Sequence, residues 1–496
     1  MKNEAEFTRI ETGVDGLDDI LSGGLPSKQM YLLEGDPGTG KTTLAMQFIM
    51  AGVRKGERAL YVTLSESRAE LEGSVRSHGW ETADLPIAEF VPAEAGLDPD
   101  QQYTVFHPSD VELASTIQKL TGIIDELKPE RLVIDSLSEL RLLAADTMRY
   151  RRQLLALKHF FAGRDTTVLL LDDRTAEGSD MQLQSIAHGV LRLEKMQRSY
   201  GVTRRRIEII KLRGSAYREG YHDYSIVRGG LVIYPRLVAA EHSHVFGGER
   251  ILSGIPELDT MFGGGISRGS STLMIGPSGS GKSTLAMVYA YAAAKRGDRA
   301  IVYAFDEVLR TAQDRMEGLG MPVRDQIERG TLAMSQVDPA ELSPGEFVWQ
   351  IRRDVEEKDT RVVVIDSLNG FLMAMPGEHD LTLHLHELLA FLNQKGVVTI
   401  LIFTQHGLIG SMQSEIDVSY LSDTVVLLRY FEAEGEIRQV ISVVKQRVGQ
   451  HERTLRELRM SAEGVFIGDP LVSFRGVLTG VPNVSESRSE TLERGA

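Results

Sequence analysis

At 496 residues the chain is too long for one ordinary hydrophobic core, and two domains of roughly 240 residues are the simplest division. It has no cysteine, which excludes disulfides and thiolate metal centres, and its twelve histidines show no zinc-ligand spacing. A net charge of −15 argues against a protein that coats nucleic acid.

In chain order, the opening MKNEAEFTRI has no apolar h-region, and the longest apolar runs, such as VVTILIF at 397–403, are strand-length. No membrane span and a cytoplasmic location are therefore expected. MYLLEG (30–35) reads as a strand leading into GDPGTGKTT (35–43), a phosphate-cradling loop of the form Gly-x₄-Gly-Lys-Thr, and TTLAMQFIMAGVRKG reads as the helix after it. RALYVTL (58–64), RLVIDSL (131–137) and TTVLLLDD (166–173) follow as apolar strands. RRRIEIIKLRGS (204–215) then places Lys211 and Arg213 after a strand-like run. The stretch 236–250, with its Gly-Gly pair, reads as a linker.

The second half repeats this order. TGVDGLDDILSGGLPSKQMYLLEGDPGTGKTTLAM (12–46) and SGIPELDTMFGGGISRGSSTLMIGPSGSGKSTLAM (253–287) share Gly-x₃-Leu-Asp, a Gly-Gly pair and a full cradle at a constant offset of 241. RAIVYAF (299–305), RVVVIDSL (361–368) and VVTILIFTQ (397–405) repeat the strands, and VISVVKQRVGQ (440–450) places Lys445 and Arg447. Continuous apolar strands alternating with helices predict an α/β fold in each half, a mostly parallel doubly wound sheet with its ligand at the carboxyl ends of the strands.

Each cradle predicts an ATP site. Gly35, Gly38, Thr39, Gly40, Lys41, Thr42 and Thr43 form the first; Gly276, Ser278, Gly279, Ser280, Gly281, Lys282, Ser283 and Thr284 form the second. Glycine backbone N–H groups and a helix N-terminus hold phosphate oxygens, the lysine reaches the β- and γ-phosphates, and Thr42 or Ser283 binds Mg²⁺. Asp135 and Asp366, ending apolar strands, are the expected carboxylates on Mg²⁺; helix capping is the alternative for each. The strand next to the cradle should end beside the γ-phosphate. RALYVTL ends at Ser65-Glu66 and RAIVYAF at Asp306-Glu307, so Glu66, Asp306 and Glu307 are the candidate bases. Two adjacent acids should raise one carboxyl and favour the second site for deprotonating a protein hydroxyl. Lys211, Arg213, Lys445 and Arg447 lie far from their own cradles in sequence, as expected of groups that contact phosphate across a subunit interface; edge-strand decoration is the alternative.

Two cradles, acids after the second strand and Lys-x-Arg after a late strand together resemble the KaiC family of clock ATPases and kinases, over roughly 8–482. The resemblance implies two tandem RecA-like P-loop NTPase domains, 1–240 and 241–482, and a short polar tail, 483–496. It implies ATP and Mg²⁺ as cofactors, a double-ring homohexamer, slow hydrolysis in the first ring, and autokinase and autophosphatase activity in the second. The family's Glu-Glu pair falls on Ser65-Glu66 and Asp306-Glu307. Its phosphorylated serine falls on Ser419, the neighbouring threonine position on Tyr420, and a third hydroxyl on Ser414. The segment 473–483 resembles the loop that gates the kinase; the short tail beyond it argues against a KaiA-type activator, while a KaiB-like partner of the first ring remains compatible. A RecA-type DNA motor would want basic or aromatic loops after the Mg²⁺ strand; DSLSELRLLAADTMRYRRQ has a few arginines, but DSLNGFLMAMPGEHDLTLHLHE has none. A non-kinase ATP-dependent scaffold is the third reading.

Overall fold

The computed structural model describes residues 8–81, 85–90, 108–144, 146–174, 180–197, 200–238, 248–373, 381–405, 420–472, 474–477 and 483–484. Ser414 and Ser419 lie outside these residues. The chain forms two compact units, Met1–Arg236 and Leu237–Ala496. The division falls before Leu237 because that buried side chain packs with Leu273, Ile301 and Val363 of the second unit.

The first unit contains a nine-stranded sheet among the described residues: β1 (Met30–Gly35), β2 (Ala59–Thr63), β3 (Ile87–Glu89), β4 (Arg131–Asp135), β5 (Thr167–Asp173), β6 (Gly189–Met196), β7 (Arg204–Leu212), β8 (Tyr221–Val227) and β9 (Gly230–Tyr234). Their order is β9-β8-β7-β6-β1-β5-β4-β2-β3. From β6 to β3 every pairing is parallel; β6 to β9 form an antiparallel wing. The second unit gives β10 (Ser271–Gly276), β11 (Arg299–Ala304), β12 (Leu332–Gln336), β13 (Thr360–Asp366), β14 (Val398–Thr404), β15 (Thr424–Ala433), β16 (Glu436–Gln446), β17 (Arg456–Ser461) and β18 (Gly464–Pro470). Their order, β18-β17-β16-β15-β10-β14-β13-β11-β12, is the first sheet's with every label raised by nine.

Both faces of each parallel region are covered, as the unbroken apolar strands require. Tyr31 and Leu33 of β1 pack on one side with Leu44 and Phe48 of helix α1 (Lys41–Arg54). Met30 and Leu32, pointing the other way by the two-residue period of a strand, pack with Leu154 and Phe161 of the helix Thr147–Phe161. Each such side chain, once buried, contributes roughly 1.5–3 kcal/mol. In the second unit helix α2 (Lys282–Arg296) repeats α1.

One adjacency differs from the sequence expectation. RALYVTL and RAIVYAF do not lie next to the cradle strands: β5 and β4 separate β2 from β1, and β14 and β13 separate β11 from β10. Lys211 and Lys445, expected after their strands, lie inside β7 and β16, and only Arg213 and Arg447 follow.

The repeated Gly-x₃-Leu-Asp has a local structural job. Asp18 Oδ1 accepts from the Thr12 N–H at 2.9 Å, and Asp259 Oδ1 accepts from the Ser253 N–H at 2.8 Å. Leu17 and Leu258 are fully buried above them.

Candidate functional site

Each cradle is a tight crossing from a buried strand to a buried helix. A Cβ on Gly276 would lie 2.3 Å from the Leu428 carbonyl oxygen, so this position holds only glycine while β10 and β15 stay paired. Gly40 and Gly281 precede α1 and α2 with φ of 95° and 97°, and neither helix has a side-chain cap there. The first-turn N–H groups, short of intrahelical acceptors, are left for an anion. Thr39 and Ser280 are fully buried, and their hydroxyls donate to the loop's own Asp36 and Pro277 carbonyls, each at 2.8 Å. They brace the loop instead of facing a ligand.

The lysines fold back on their loops. Lys41 Nζ donates to the carbonyls of Gly35 (2.8 Å) and Asp36 (3.1 Å). Lys282 Nζ donates to Gly276 (2.9 Å) and Pro277 (2.6 Å). Burial pulls Lys282 down to about 8, with Asp366 acting in the opposite direction.

The carboxylates at the ends of β4 and β13 reach the hydroxyl after each lysine. Thr42 Oγ1 donates to Asp135 Oδ2 at 3.1 Å, and Ser283 donates to Asp366. Burial pushes both acids above the usual carboxylate range, opposed by these hydrogen bonds. One carboxylate and one hydroxyl form a hard-oxygen donor pair, which fits Mg²⁺ completed by phosphate oxygens and water. Asp135 also accepts from the buried Tyr61 hydroxyl at 2.5 Å; Val302 stands at the matching position of β11.

The candidate bases sit in different surroundings. Burial pushes Glu66 up, with Asp135 and Glu70 adding repulsion. Its backbone is held by Thr63, whose hydroxyl donates to Glu66 O (2.7 Å) and accepts from Glu66 N (3.0 Å). Asp306 and Glu307, though adjacent in sequence, each have a partner of their own. Ser367 donates to Asp306. Arg315 pairs with Glu307 at 2.7 Å and also donates to Thr284 Oγ1 at 2.9 Å.

In the second unit these groups share a cavity of 670 Å³, within the range of nucleotide-sized sites. Ser278, Gly279, Gly281, Lys282, Ser283, Thr284, Asp306, Glu307 and Asp366 line it, with Ser367 directly after Asp366 in sequence, and so do Arg315, Thr404 and Met460, which sequence reasoning missed. Arg315 lies two turns beyond Glu307 and carries no motif. Thr404 could have been found by aligning the ends of TTVLLLDD and VVTILIFTQ.

The basic pairs lie on the antiparallel wing, and neither Lys445 nor Arg447 lines this cavity. Lys211 donates to the Gln184 carbonyl and Arg213 to Ser185 (2.8 Å). Lys445 donates to Ser422 (2.9 Å) and Arg447 to Tyr420 (2.7 Å). The Tyr420 side chain is exposed. Among the described residues no three His, Cys, Asp or Glu side chains form a metal cluster, and no helix is long and apolar enough to cross a membrane.

Comparison with known proteins finds the same duplication. The family model described as KaiC ATPase matches twice, at residues 10–238 and 251–472. The circadian clock oscillator protein KaiC of Acaryochloris marina is 28% identical over 500 residues, covering 99% of this chain and 95% of that protein. The circadian clock protein KaiC3 of Synechocystis sp. is 27% identical over 487 residues (96% and 94%). The circadian clock oscillator protein KaiC of Thermosynechococcus vestitus is 27% identical over 489 residues (97% and 93%).

Proposed function

Because this chain belongs to the KaiC ATPase family, we propose that its two domains bind and hydrolyse ATP in a hexameric ring and that the second also phosphorylates Ser419. The recurrence of lysine, hydroxyl and strand-end carboxylate at matched positions of both sheets carries this reading.

In this reading the loop N–H groups and Lys41 or Lys282 hold the phosphates. Thr42 with Asp135, and Ser283 with Asp366, hold Mg²⁺, which supplies charge neutralisation on the phosphate oxygens. Glu66, whose carboxylate is made more basic by burial, takes a proton from the attacking water in the first domain. Glu307 takes the Ser419 hydroxyl proton in the second; the serine oxygen bonds to the γ-phosphorus, and the bond to the β-phosphate oxygen breaks to release ADP. Arg315 orients the Glu307 carboxylate before the serine arrives. Lys211, Arg213, Lys445 and Arg447 serve the neighbouring subunit's nucleotide, which is consistent with their place on the wing.

Intact-mass and peptide mass spectrometry after incubation with Mg²⁺-ATP tests the kinase. We expect one phosphate on Ser419, absent from Glu307→Gln. ADP accumulating with no phosphate on the protein would leave a ring ATPase and remove the kinase.

A further inference from the structure

The two cradles differ at the strand beside them. Gly35 of β1 is registered with Asp173 of β5, and Gly276 of β10 with Thr404 of β14. The same place in the repeat therefore carries a carboxylate in the first domain and a neutral hydroxyl in the second.

Asp173 is held against the cradle. Its Oδ1 lies 2.7 Å from Lys41 Nζ, with the lysine side chain 9% exposed and the aspartate 28%. Its strand is fixed by pairing with both β1 and β4. Ser138 approaches Asp173 and Asp172, and Arg141 pairs with Asp172 at 2.5 Å, so the neighbouring acid is committed elsewhere. Lys41 and Lys282 share the loop carbonyls as partners, but beside Lys282 it is the neutral Thr404 that lines the cavity.

The lysine of such a loop reaches the β- and γ-phosphates. A γ-phosphate arriving at Lys41 meets an existing carboxylate within ion-pair distance of the same ammonium. Repulsion between charges a few ångströms apart in a part-buried site is large. A diphosphate places less charge there and can share Lys41 with Asp173.

We propose that Asp173 sets the nucleotide preference of the first cradle, favouring a nucleoside diphosphate over the triphosphate, whereas Thr404 leaves the second cradle open to a γ-phosphate. This rests on reading the first cradle as a nucleotide site.

The test uses the full chain carrying Lys282→Ala to silence the second cradle and Glu66→Gln to stop hydrolysis in the first, with ATP and ADP binding measured by equilibrium dialysis in Mg²⁺. With Asp173 present, ADP should bind about tenfold tighter than ATP. Asp173→Thr and the isosteric Asp173→Asn should each tighten ATP about tenfold and leave ADP within about twofold. An ATP-to-ADP ratio unchanged in both variants would overturn the proposal while leaving the cradle intact. Absence of binding by either nucleotide, in parent and variants alike, would overturn the cradle reading as well.

Discussion

The two lysines show how one motif can acquire different chemistry from residues outside it. Lys282 is down to about 8 because burial penalises its ammonium. Phosphate oxygens favour the charged form, so a nucleotide entering the second cradle should raise the lysine and take up a fraction of a proton. The sign is uptake. The effect should be largest above the free value of about 8, between it and the raised value of the bound state, and should fade below about pH 7, where the lysine is already charged. Calorimetry in buffers of different ionisation heat reads this number, and Lys282→Arg, charged throughout, should abolish it. The cradles themselves were legible in the sequence because they act through backbone shape, which a short glycine pattern encodes. Tyr61, Arg315 and Asp173 were not. Tyr61 meets Asp135 across 74 residues, and Asp173 meets Lys41 across 132, so only strand register brings them together. Arg315 is near Glu307 in sequence, but an arginine on a polar helix carries no distinguishing pattern.

At the scale of elements, the repeat is gapless only in its early part. The offset is 241 from Gly35 to Gly276 but 231 from Asp135 to Asp366, so the second half is ten residues shorter between the second and fourth strands of the sheet. It regains four before Thr424, which matches Gly189 at 235, in the stretch that contains Ser419. Strand identity survived these length changes because an apolar strand buried on both faces is written in consecutive residues. Strand adjacency was misread because nothing within RALYVTL says that two later strands will come between it and the cradle. The close approach at Gly276 gives a prediction at this scale. Gly276→Ala must push β10 from β15 or open the loop, and should cost roughly 1–3 kcal/mol. The expected readout is a lowered midpoint for the second domain's unfolding transition, with the first domain's unchanged.

For the whole molecule, the issue is whether one subunit's wing completes its neighbour's site. A chain with Lys445→Ala and Arg447→Ala should bind nucleotide in the second cradle but neither hydrolyse ATP there nor phosphorylate Ser419. A chain with Glu307→Gln should fail too, for a different reason. Mixed in equal amounts and allowed to reassemble, the two should regain activity at up to about a quarter of the second-domain sites, where an intact Glu307 faces an intact neighbouring wing. Continued silence in the mixture, with assembly confirmed by analytical ultracentrifugation, would place the basic pair's role within its own subunit.

The sheet's division into a parallel region bearing the carboxylates and an antiparallel wing bearing Lys-x-Arg has a consequence for symmetry. If the wing of one copy serves the acids of the next, the contact surfaces are unlike. Two copies related by a twofold could not satisfy both, and association must run head to tail, closing only when the rotation per step divides the circle. Influence in such an assembly has a direction. A copy damaged in its wing disables the site of one neighbour and spares the other, so defects travel one way around the ring.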